Sequence, residues 1–573
     1  MRFLKTLGLG LAAALAACSN TPCGAAGDDI AAASWHFAGG ADLANNTNFD
    51  NIKKTLTLAP SLDFRNLALT RFSGWLGKSI FLTTNGGAEA ALRPLLDDAL
   101  SAESVWAVGG ASNGPLNFMV ALRLNEARAQ AWQAALPKVT GVPGQSFQAQ
   151  GFTGQQWKIA GGQSFWLVRA KDWLLAGGGD DLRALQTQYL QQISQKGRPA
   201  PVLNPSWLEA DVDWPRLAHW LPNFPRLFQL ARTKITFTAP DQSLFMSAKV
   251  IYPKPVPWKF EPWRIPTRIV RDPLISFTAG QDIAAFLDPG EPLAKLTDNP
   301  LNGEFFVWAL GEMGLQSYGA WRVADATNSI QRVAAEATNI FNPAFKQNNW
   351  GELRWQPERK TLLWANLCPI LFPMLQIAPE TNGQYLVVSC FPLELRNKPA
   401  PEALFQQFTS RTNVVYYDWE GTGNRLEQWR LLSGMLPVLP RVQMLPGAAN
   451  STNRPTAARS VTSSASTNNS ATQPRVRPPI IVVENWLSGV TPMLRDHDTV
   501  TEITRTGPAE LTVVRRSPFA VTSLELVLLS HWLSGTGSPG INPSLLPPPA
   551  RMSGPGINPG NPAPSHDQTR GQR

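Results

Sequence analysis

Short runs of alternating apolar and polar residues occur in pairs along the chain, and turn-forming residues separate the two members of each pair. Ile235-Thr-Phe-Thr-Ala-Pro240 precedes a second run that starts at Leu244, and Ile503-Thr-Arg-Thr-Gly-Pro508 precedes one that starts at Leu511. Alternation interrupted by such turns is typical of β-hairpins. The pattern therefore predicts an antiparallel sheet.

Segments with apolar residues at helical spacing lie between these strands. The final helix should have Ser517 as its N-cap and Pro518 as its first residue, and should run to Leu533. Strands in adjacent pairs combined with helices predict an α+β fold, with helices packed on one face of an antiparallel sheet. The other predicted helices are Phe49 to Leu58, Leu62 to Ile80, Ala88 to Leu100, 125–136, 325–341 and 480–495.

Several landmarks occur twice and in the same order. Ser104-Val-Trp-Ala-Val-Gly109 is similar to Phe306-Val-Trp-Ala-Leu-Gly311, and the strand that ends at Asp213-Trp214 is similar to the one that contains Asp418-Trp419. Repetition of this kind indicates an internal duplication. The duplication predicts that Trp106 corresponds to Trp308, Asp213 to Asp418 and Ile235 to Ile503.

Changes in composition divide the chain further. Residues 447–479 are rich in Ser, Thr, Asn and Pro, and such a segment buries too little apolar surface to offset the entropy of ordering it. The predicted organisation is a lipoprotein-type signal peptide (1–18), an N-terminal flexible segment and helices (19–100), a first α+β copy (101–255), a connector (256–300), a second α+β copy with a disordered insertion at 447–479 (301–533), and a disordered Pro/Gly-rich tail (534–573).

The first residues predict export. Arg2 and Lys5 precede an apolar run that is too short to span a bilayer as a mature helix. The run ends at Leu15-Ala-Ala-Cys18, which resembles the lipobox of bacterial lipoproteins, in which the cysteine is acylated. The alternative is that ordinary signal peptidase cleaves at a nearby site between small residues. The prediction is an exported protein at the outer membrane or periplasmic face, anchored through lipid at Cys18.

The formal net charge is +9, but the folded part carries none of the excess. Arg2 and Lys5, five arginines within residues 440–479, and the residues after 534 account for all of it. A nucleic-acid-binding protein needs a basic face on its folded body. The charge distribution therefore predicts no nucleic-acid partner. Four cysteines in 573 residues likewise exclude a disulfide scaffold.

Four segments resemble a family of exported bacterial proteins of unknown function. The resemblance would span most of residues 35–533 and implies only a duplicated α+β body, because it brings no activity or catalytic residue with it. The segments are Phe260-Glu-Pro-Trp-Arg-Ile-Pro266, Asp272-Pro-Leu-Ile-Ser-Phe-Thr278, Tyr416-Tyr-Asp-Trp-Glu420 and Thr506-Gly-Pro-Ala-Glu-Leu511.

Motifs for chemistry are weak. Gly110-Ala-Ser112-Asn-Gly114 has the spacing of a nucleophile elbow but is predicted to lie in a hairpin turn, where these residue types are expected. Gly177-Gly-Gly179 is predicted to form a turn before a helix capped by Asp180 and Asp181. Cys368 and Cys390 could pair or remain free. The five histidines show no metal-ligand spacing, and Asp496-His497-Asp498 is interpreted as a solvated boundary.

The duplicated Asp213-Trp214 and Asp418-Trp419 are predicted to be structural, with each Asp capping a helix and each Trp packing beneath it. Trp106 and Trp308 are predicted to be core residues. The leading hypothesis is a non-enzymatic envelope protein that binds an unknown protein or polymer and uses no cofactor or metal. The alternative is an envelope hydrolase acting on glycans or peptides, with Glu209, Asp211 and Asp213 as its first candidate acids.

Overall fold

A computed structural model of the protein describes its helices, strands and most of the segments between them. The described residues are 31–79, 81, 86–110, 116–158, 164–179, 183–220, 228–241, 243–287, 303–312, 316–347, 350–367, 372–378, 380, 382–393, 398–435 and 479–534.

Twenty strands lie in this described part of the chain, ten before residue 252 and ten after residue 273. The first ten are β1 (Ala31–Phe37), β2 (Ser104–Gly109), β3 (Asn117–Arg123), β4 (Gln145–Ala149), β5 (Phe152–Lys158), β6 (Ser164–Ala170), β7 (Trp173–Gly179), β8 (Leu208–Asp213), β9 (Arg232–Thr238) and β10 (Leu244–Ile251). The second ten are β11 (Leu274–Gln281), β12 (Glu304–Leu310), β13 (Ser317–Val323), β14 (Glu352–Gln356), β15 (Thr361–Ala365), β16 (Met374–Ile377), β17 (Gln384–Ser389), β18 (Val414–Gly421), β19 (Asp498–Gly507) and β20 (Glu510–Ser517).

The strands form one antiparallel sheet, as the hairpin pattern predicts. From one edge to the other the order is β4-β5-β6-β7-β3-β2-β1-β8-β9-β10 and then β20-β19-β18-β11-β12-β13-β17-β16-β15-β14. The two halves repeat the same strand order outward from the central β10–β20 pair. Each strand of the first half occupies the position that the strand numbered ten higher occupies in the second half.

Twelve α-helices lie among the described residues. Their ends are defined by local chemistry; for example, Asn125 accepts a hydrogen bond from the backbone N–H of Arg128 at the start of α5, and Gly141 closes α5 with a φ of 74°. The helices are α1 (Gly40–Asn45), α2 (Asp50–Leu56), α3 (Ala59–Ser79), α4 (Gly86–Ser101), α5 (Glu126–Thr140), α6 (Arg183–Lys196), α7 (Trp214–Leu217), α8 (Ala326–Gln347), α9 (Glu402–Thr409), α10 (Thr422–Met435), α11 (Pro479–Val490) and α12 (Ser523–Ser534).

Helices cover both faces of the sheet, so the expectation of helices on one face was wrong. Leu92 of α4 shares a core cluster with Val120 of β3, whereas Leu190 of α6 shares a different cluster with Ala121. Adjacent strand residues point to opposite faces, so α4 and α6 lie on opposite sides. A hairpin pattern identifies the strands but does not show which side each connecting helix takes.

Two strands fall in ranges for which the sequence predicted no strand. β1 lies within 19–100 and pairs with β2 and β8, while β11 lies within 256–300 and pairs with β12 and β18. Both strands are buried on both faces and therefore lack clear alternation, which is the signal for a half-exposed strand.

Gly177-Gly-Gly179 lies in β7, where a turn had been expected. A Cβ atom on Gly177 would lie 2.5 Å from the Trp166 ring, and one on Gly178 would lie 2.6 Å from the Phe118 ring. The glycines are needed because large aromatic side chains from neighbouring strands lie across this strand.

Candidate functional site

Corresponding strands of the two halves carry two rows of cross-strand neighbours. We call the row in the first half the covered row, and it consists of Ala210, Trp35, Trp106, Val120 and Ala176. All of these side chains are buried except Trp106, which is half-buried. Leu92 and Leu95 of α4 belong to the same apolar cluster as this row. The covered row is therefore part of a dry core beneath helices.

The open row occupies the matching strands of the second half. It consists of Asp418, Thr278, Val307, Gly319 and Val388, each of which is the register partner of the next.

Two of its apolar side chains face solvent, since Val307 is 37% exposed and Val388 is 45% exposed. A Cβ atom on Gly319 would lie 3.1 Å from Val388 and 4.0 Å from Val307, so the three residues form one contiguous surface.

The difference in exposure follows from the chain between matching strands. Residues 38–103, between β1 and β2, form the helices α1 to α4 on the first half. Residues 282–303 connect β11 to β12, and the described part of this segment forms a short 3₁₀ helix at Ile283–Phe286. Among the described residues, the exposure of Val307 and Val388 therefore marks a place where the second half has no counterpart of α1 to α4.

A group of charged residues, buried except for the half-buried Asp418, extends from the open row on the same face of the sheet. Glu420 accepts hydrogen bonds from the backbone N–H of Ser523 at 2.6 Å and from its hydroxyl at 2.7 Å, at the start of α12. Asp418 accepts a hydrogen bond from the Thr278 hydroxyl at 2.6 Å. The Glu420 bonds fix helix α12 to strand β18, and the Asp418 bond joins β18 to β11.

Two arginines accompany these acids. Arg515 donates to Glu525 at 2.9 Å and to the Thr501 hydroxyl at 2.8 Å. Arg425 donates to Ser317 at 3.1 Å and lies 4.4 Å from the centre of the Trp429 ring. Each guanidinium is thus held by several partners in a site with little access to water.

Burial and mutual repulsion shift the titration of this group. Burial raises the pKa of Glu420 to about 7, repulsion from Asp418 raises it further, and the hydrogen bonds from Ser523 oppose the increase. Burial also raises the pKa of Asp418 and lowers that of Arg425. The site thus holds three carboxyl groups, including Glu525, and two guanidinium groups.

The two predicted Asp-Trp pairs have different structural roles. Asp213 caps α7 by accepting from the backbone N–H of Arg216 at 3.1 Å, as expected, and Trp214 is buried. Asp418 caps no helix, because β18 continues past it to Gly421, and Trp419 is half-buried. The capping prediction was therefore wrong for Asp418.

Trp308 is buried at 1% exposure and stacks on Tyr318 at 5.3 Å, in accordance with its predicted core role. Trp106 is half-buried and donates to the Ser104 hydroxyl at 3.0 Å. The two tryptophans lie in different core clusters on opposite faces. By cross-strand register, Val307 matches Trp106 and Asp418 matches Ala210. The predicted correspondences of Trp106 with Trp308 and of Asp213 with Asp418 were therefore wrong.

The first candidate acids of the hydrolase hypothesis all have structural partners. Glu209 accepts from Ser206 at 2.5 Å. Asp211 forms a two-bond pair with Arg232, at 2.7 Å for each bond. At the predicted boundary 496–498, the backbone carbonyl of His497 accepts from Thr422 at 2.9 Å, and Asp498 begins β19.

Several predicted positions lie outside the described residues. They are the signal segment with Cys18, Ser112, Asp180 and Asp181, Cys368, residues 447–478 of the insertion, and the tail from 535. Cys390 is a half-buried free thiol whose pKa is raised by burial.

Sequence reasoning missed an ion pair that occurs in both halves. Glu103 lies 3.5 Å from Arg123, between β2 and the end of β3, and Glu304 lies 3.0 Å from Arg322, between β12 and β13. The repeated arginines were visible in Ala121-Leu-Arg123 and Ala320-Trp-Arg322. The acids precede or begin the repeated strands and could have been matched by their distance from those arginines.

Two searches of the described part of the chain were negative. No group of three or more His, Cys, Asp or Glu side chains there could hold a metal ion. No helix there is both long enough and apolar enough to cross a membrane.

Comparison with known proteins identifies no family for this chain. No family model and no curated protein matches the sequence. A solved structure described as crystal form III of TP0453 aligns with 40% of this chain and 80% of its own, at 11% identity and a TM-score of 0.20. A likeness at this level carries no argument about fold or function.

Proposed function

We propose that this chain is a non-enzymatic, exported protein of the bacterial cell envelope, anchored through lipid at Cys18, which binds an envelope protein or polymer on its open row. The observation that carries the proposal is the exposure of Val307 and Val388 on a sheet face whose counterpart is covered. Apolar side chains that are exposed in one half and covered in the other make this surface a candidate interaction site.

We also propose that the two halves are diverged copies of one ten-strand unit. Three observations support this: the strand order repeats, the Glu–Arg ion pair repeats, and a register shift occurs at the same place in each half. That shift lies between Ala31 and Ala33 in β1 and between Leu274 and Ser276 in β11. On this account the second copy lost its cover and became available for binding.

The binding role can be tested with an apolar fluorescent dye such as anilinonaphthalene sulfonate. Val388→Asp should reduce dye fluorescence severalfold, because it places a charge in the centre of the exposed surface. Val142→Asp is the matched control, since Val142 is 39% exposed but lies outside the open row. Equal dye binding by the two variants would remove the open row from the account.

The lipid anchor has its own test. Radiolabelled palmitate should be incorporated into the wild-type protein and not into Cys18→Ser, and only the wild type should fractionate with membranes. Absence of label from both proteins would contradict the anchor without affecting the binding role.

A hydrolase is a second candidate, because the second half carries two acids at positions where the first half has apolar residues. Asp418 and Glu420 occupy positions where the first half has Ala210 and Val212, and a pKa of about 7 would suit Glu420 to proton transfer. Against it, hydrogen bonds from Thr278 and Ser523 already engage these carboxyl groups. Hydrolysis of purified peptidoglycan by the wild type, abolished in Glu420→Gln, would favour the enzyme over the binding protein.

A further inference from the structure

We propose that the open row receives an amphipathic helix donated by a partner protein, which completes the layer of helices on this face of the sheet. This inference rests on the proposed binding role of the open row and adds the class of its occupant.

Among the helices that the structure describes, the layer on this face is continuous except at the open row. Starting over the first half, α5 contacts α4, α4 contacts α3, α3 contacts α11, α11 contacts α12 and α12 contacts α10. On the far side of the second half, α8 packs on β14, β15, β16 and β17. The exposed surface lies between α10 and α8, so a helix placed there would have a helix on either side and the sheet beneath it.

The first half supplies the template for such a helix. Ala88, Leu92 and Leu95 of α4 are buried in the same cluster as Val120 and Ala176 of the covered row. The spacing of these three residues, four and then three positions apart, places them on one side of a helix. An occupant with apolar residues at this spacing would bury its stripe against the sheet and leave its polar face in solvent.

The floor of the open row is suited to close approach by a helix. Because Gly319 has no side chain, the surface is lower between Val307 and Val388 than at either valine. Beside it, the Phe305 ring covers Gly280, where an added Cβ atom would lie 2.3 Å from the ring. The result is an apolar floor with a central depression, which a stripe of Ala and Leu side chains can fill.

The probe for this proposal is a synthetic peptide with the sequence of residues 86–101, carrying a side-chain staple because an isolated helix of this length is only marginally stable in water. Fluorescence anisotropy of the labelled peptide should show saturable binding to the full-length wild-type protein. Val388→Asp should weaken binding at least tenfold, and Val142→Asp should leave it unchanged. A peptide carrying Leu92→Asp should bind at least tenfold more weakly.

Three outcomes would overturn the proposal. They are the absence of saturable binding, equal affinity for the Val388→Asp variant, and binding of phosphatidylethanolamine–phosphatidylglycerol vesicles in place of the peptide with loss in Val388→Asp. If the apolar dye still distinguishes Val388→Asp from Val142→Asp while the peptide does not bind, the helical occupant is wrong and the binding role of the open row stands.

Discussion

At the scale of single residues, Glu420 is a buried acid that accepts hydrogen bonds from the backbone N–H and the hydroxyl of Ser523. Its carboxyl group interacts with Asp418 on its own strand, Arg425 on α10 and Ser523 on α12. Asp418 in turn interacts with Arg515 on β20 and Glu525 on α12, which form an ion pair. Removing one member of such a group leaves a buried charge uncompensated, so the group acts as a unit.

Glu420 should make stability depend on pH in a direction that can be stated. A carboxyl group whose pKa is raised from 4.5 to about 7 stabilises the fold fully below pH 4.5, and this contribution is lost as the pH rises through about 7. The wild type should therefore lose stability relative to Glu420→Gln between pH 5 and pH 8, by on the order of 2–3 kcal/mol. Chemical denaturation at several pH values measures this difference. Parallel pH profiles for the two proteins would contradict it.

Trp308 and Trp106 should differ in their contribution to stability. Trp308→Ala removes a fully buried ring that stacks on Tyr318 and should cost about 3–5 kcal/mol. Trp106→Ala should cost clearly less, because Trp106 is half-buried. Urea denaturation of the two variants gives the comparison, and equal losses would contradict the assignment of the two residues to different environments.

Only one of the charged residues in the candidate site could be identified from the sequence. It drew attention to Asp418 because of its duplicated neighbours, but it assigned the wrong role. The acid Glu420 and the arginines Arg425 and Arg515 come from separate elements, and no local pattern brings them together. Their proximity depends on the register of β18, β19 and β20, which is a tertiary property.

At the scale of elements, the start of the last helix shows how two local signals compete. Ser517 ends β20, and its hydroxyl accepts from the backbone N–H of Phe519, so it forms a turn rather than a cap. The actual start is a capping box, in which Thr522 and Glu525 exchange hydrogen bonds with each other's backbone N–H groups. The signal Thr-x-x-Glu was present in the sequence, five residues after the serine that was preferred.

This assignment predicts unequal effects of two substitutions. Thr522→Ala should destabilise the protein by about 1 kcal/mol through loss of the cap. Ser517→Ala should have the smaller effect, because its hydroxyl serves only a short turn. Thermal unfolding of both variants decides between the two positions, and a larger loss for Ser517→Ala would restore the original prediction.

Hairpins and long helices were predictable because their periodicity is local. The hairpins β9–β10 and β19–β20 and the helices α3, α4, α5, α8 and α11 all lie where the pattern places them, with boundaries that differ by a few residues. β1 and β11 were missed because strands buried on both faces lose the alternation on which the prediction depends. The glycines at the end of β7 were assigned to a turn because glycine is also the usual turn residue.

At the scale of the whole molecule, the two halves share one sheet and part of one helical layer. β10 pairs with β20 along its whole length, and Phe64 of α3 stacks on Trp486 of α11 at 4.1 Å, which ties the N-terminal helices to the segment after the insertion. The sequence could not predict a single continuous sheet, because no local signal shows that the closing hairpins of the two halves pair with each other.

The central claim is that one half of a repeated strand order is covered and the other is open. Cysteines placed at Ala176 and Val388, in a background with the four native cysteines changed to serine, test it most directly. Under native conditions a maleimide reagent should modify the Val388→Cys protein rapidly. It should modify the Ala176→Cys protein only on unfolding, because Ala176 is 1% exposed and Val388 is 45% exposed. Equal protection of the two positions would mean that the second half is also covered, and the account of the open row would fail.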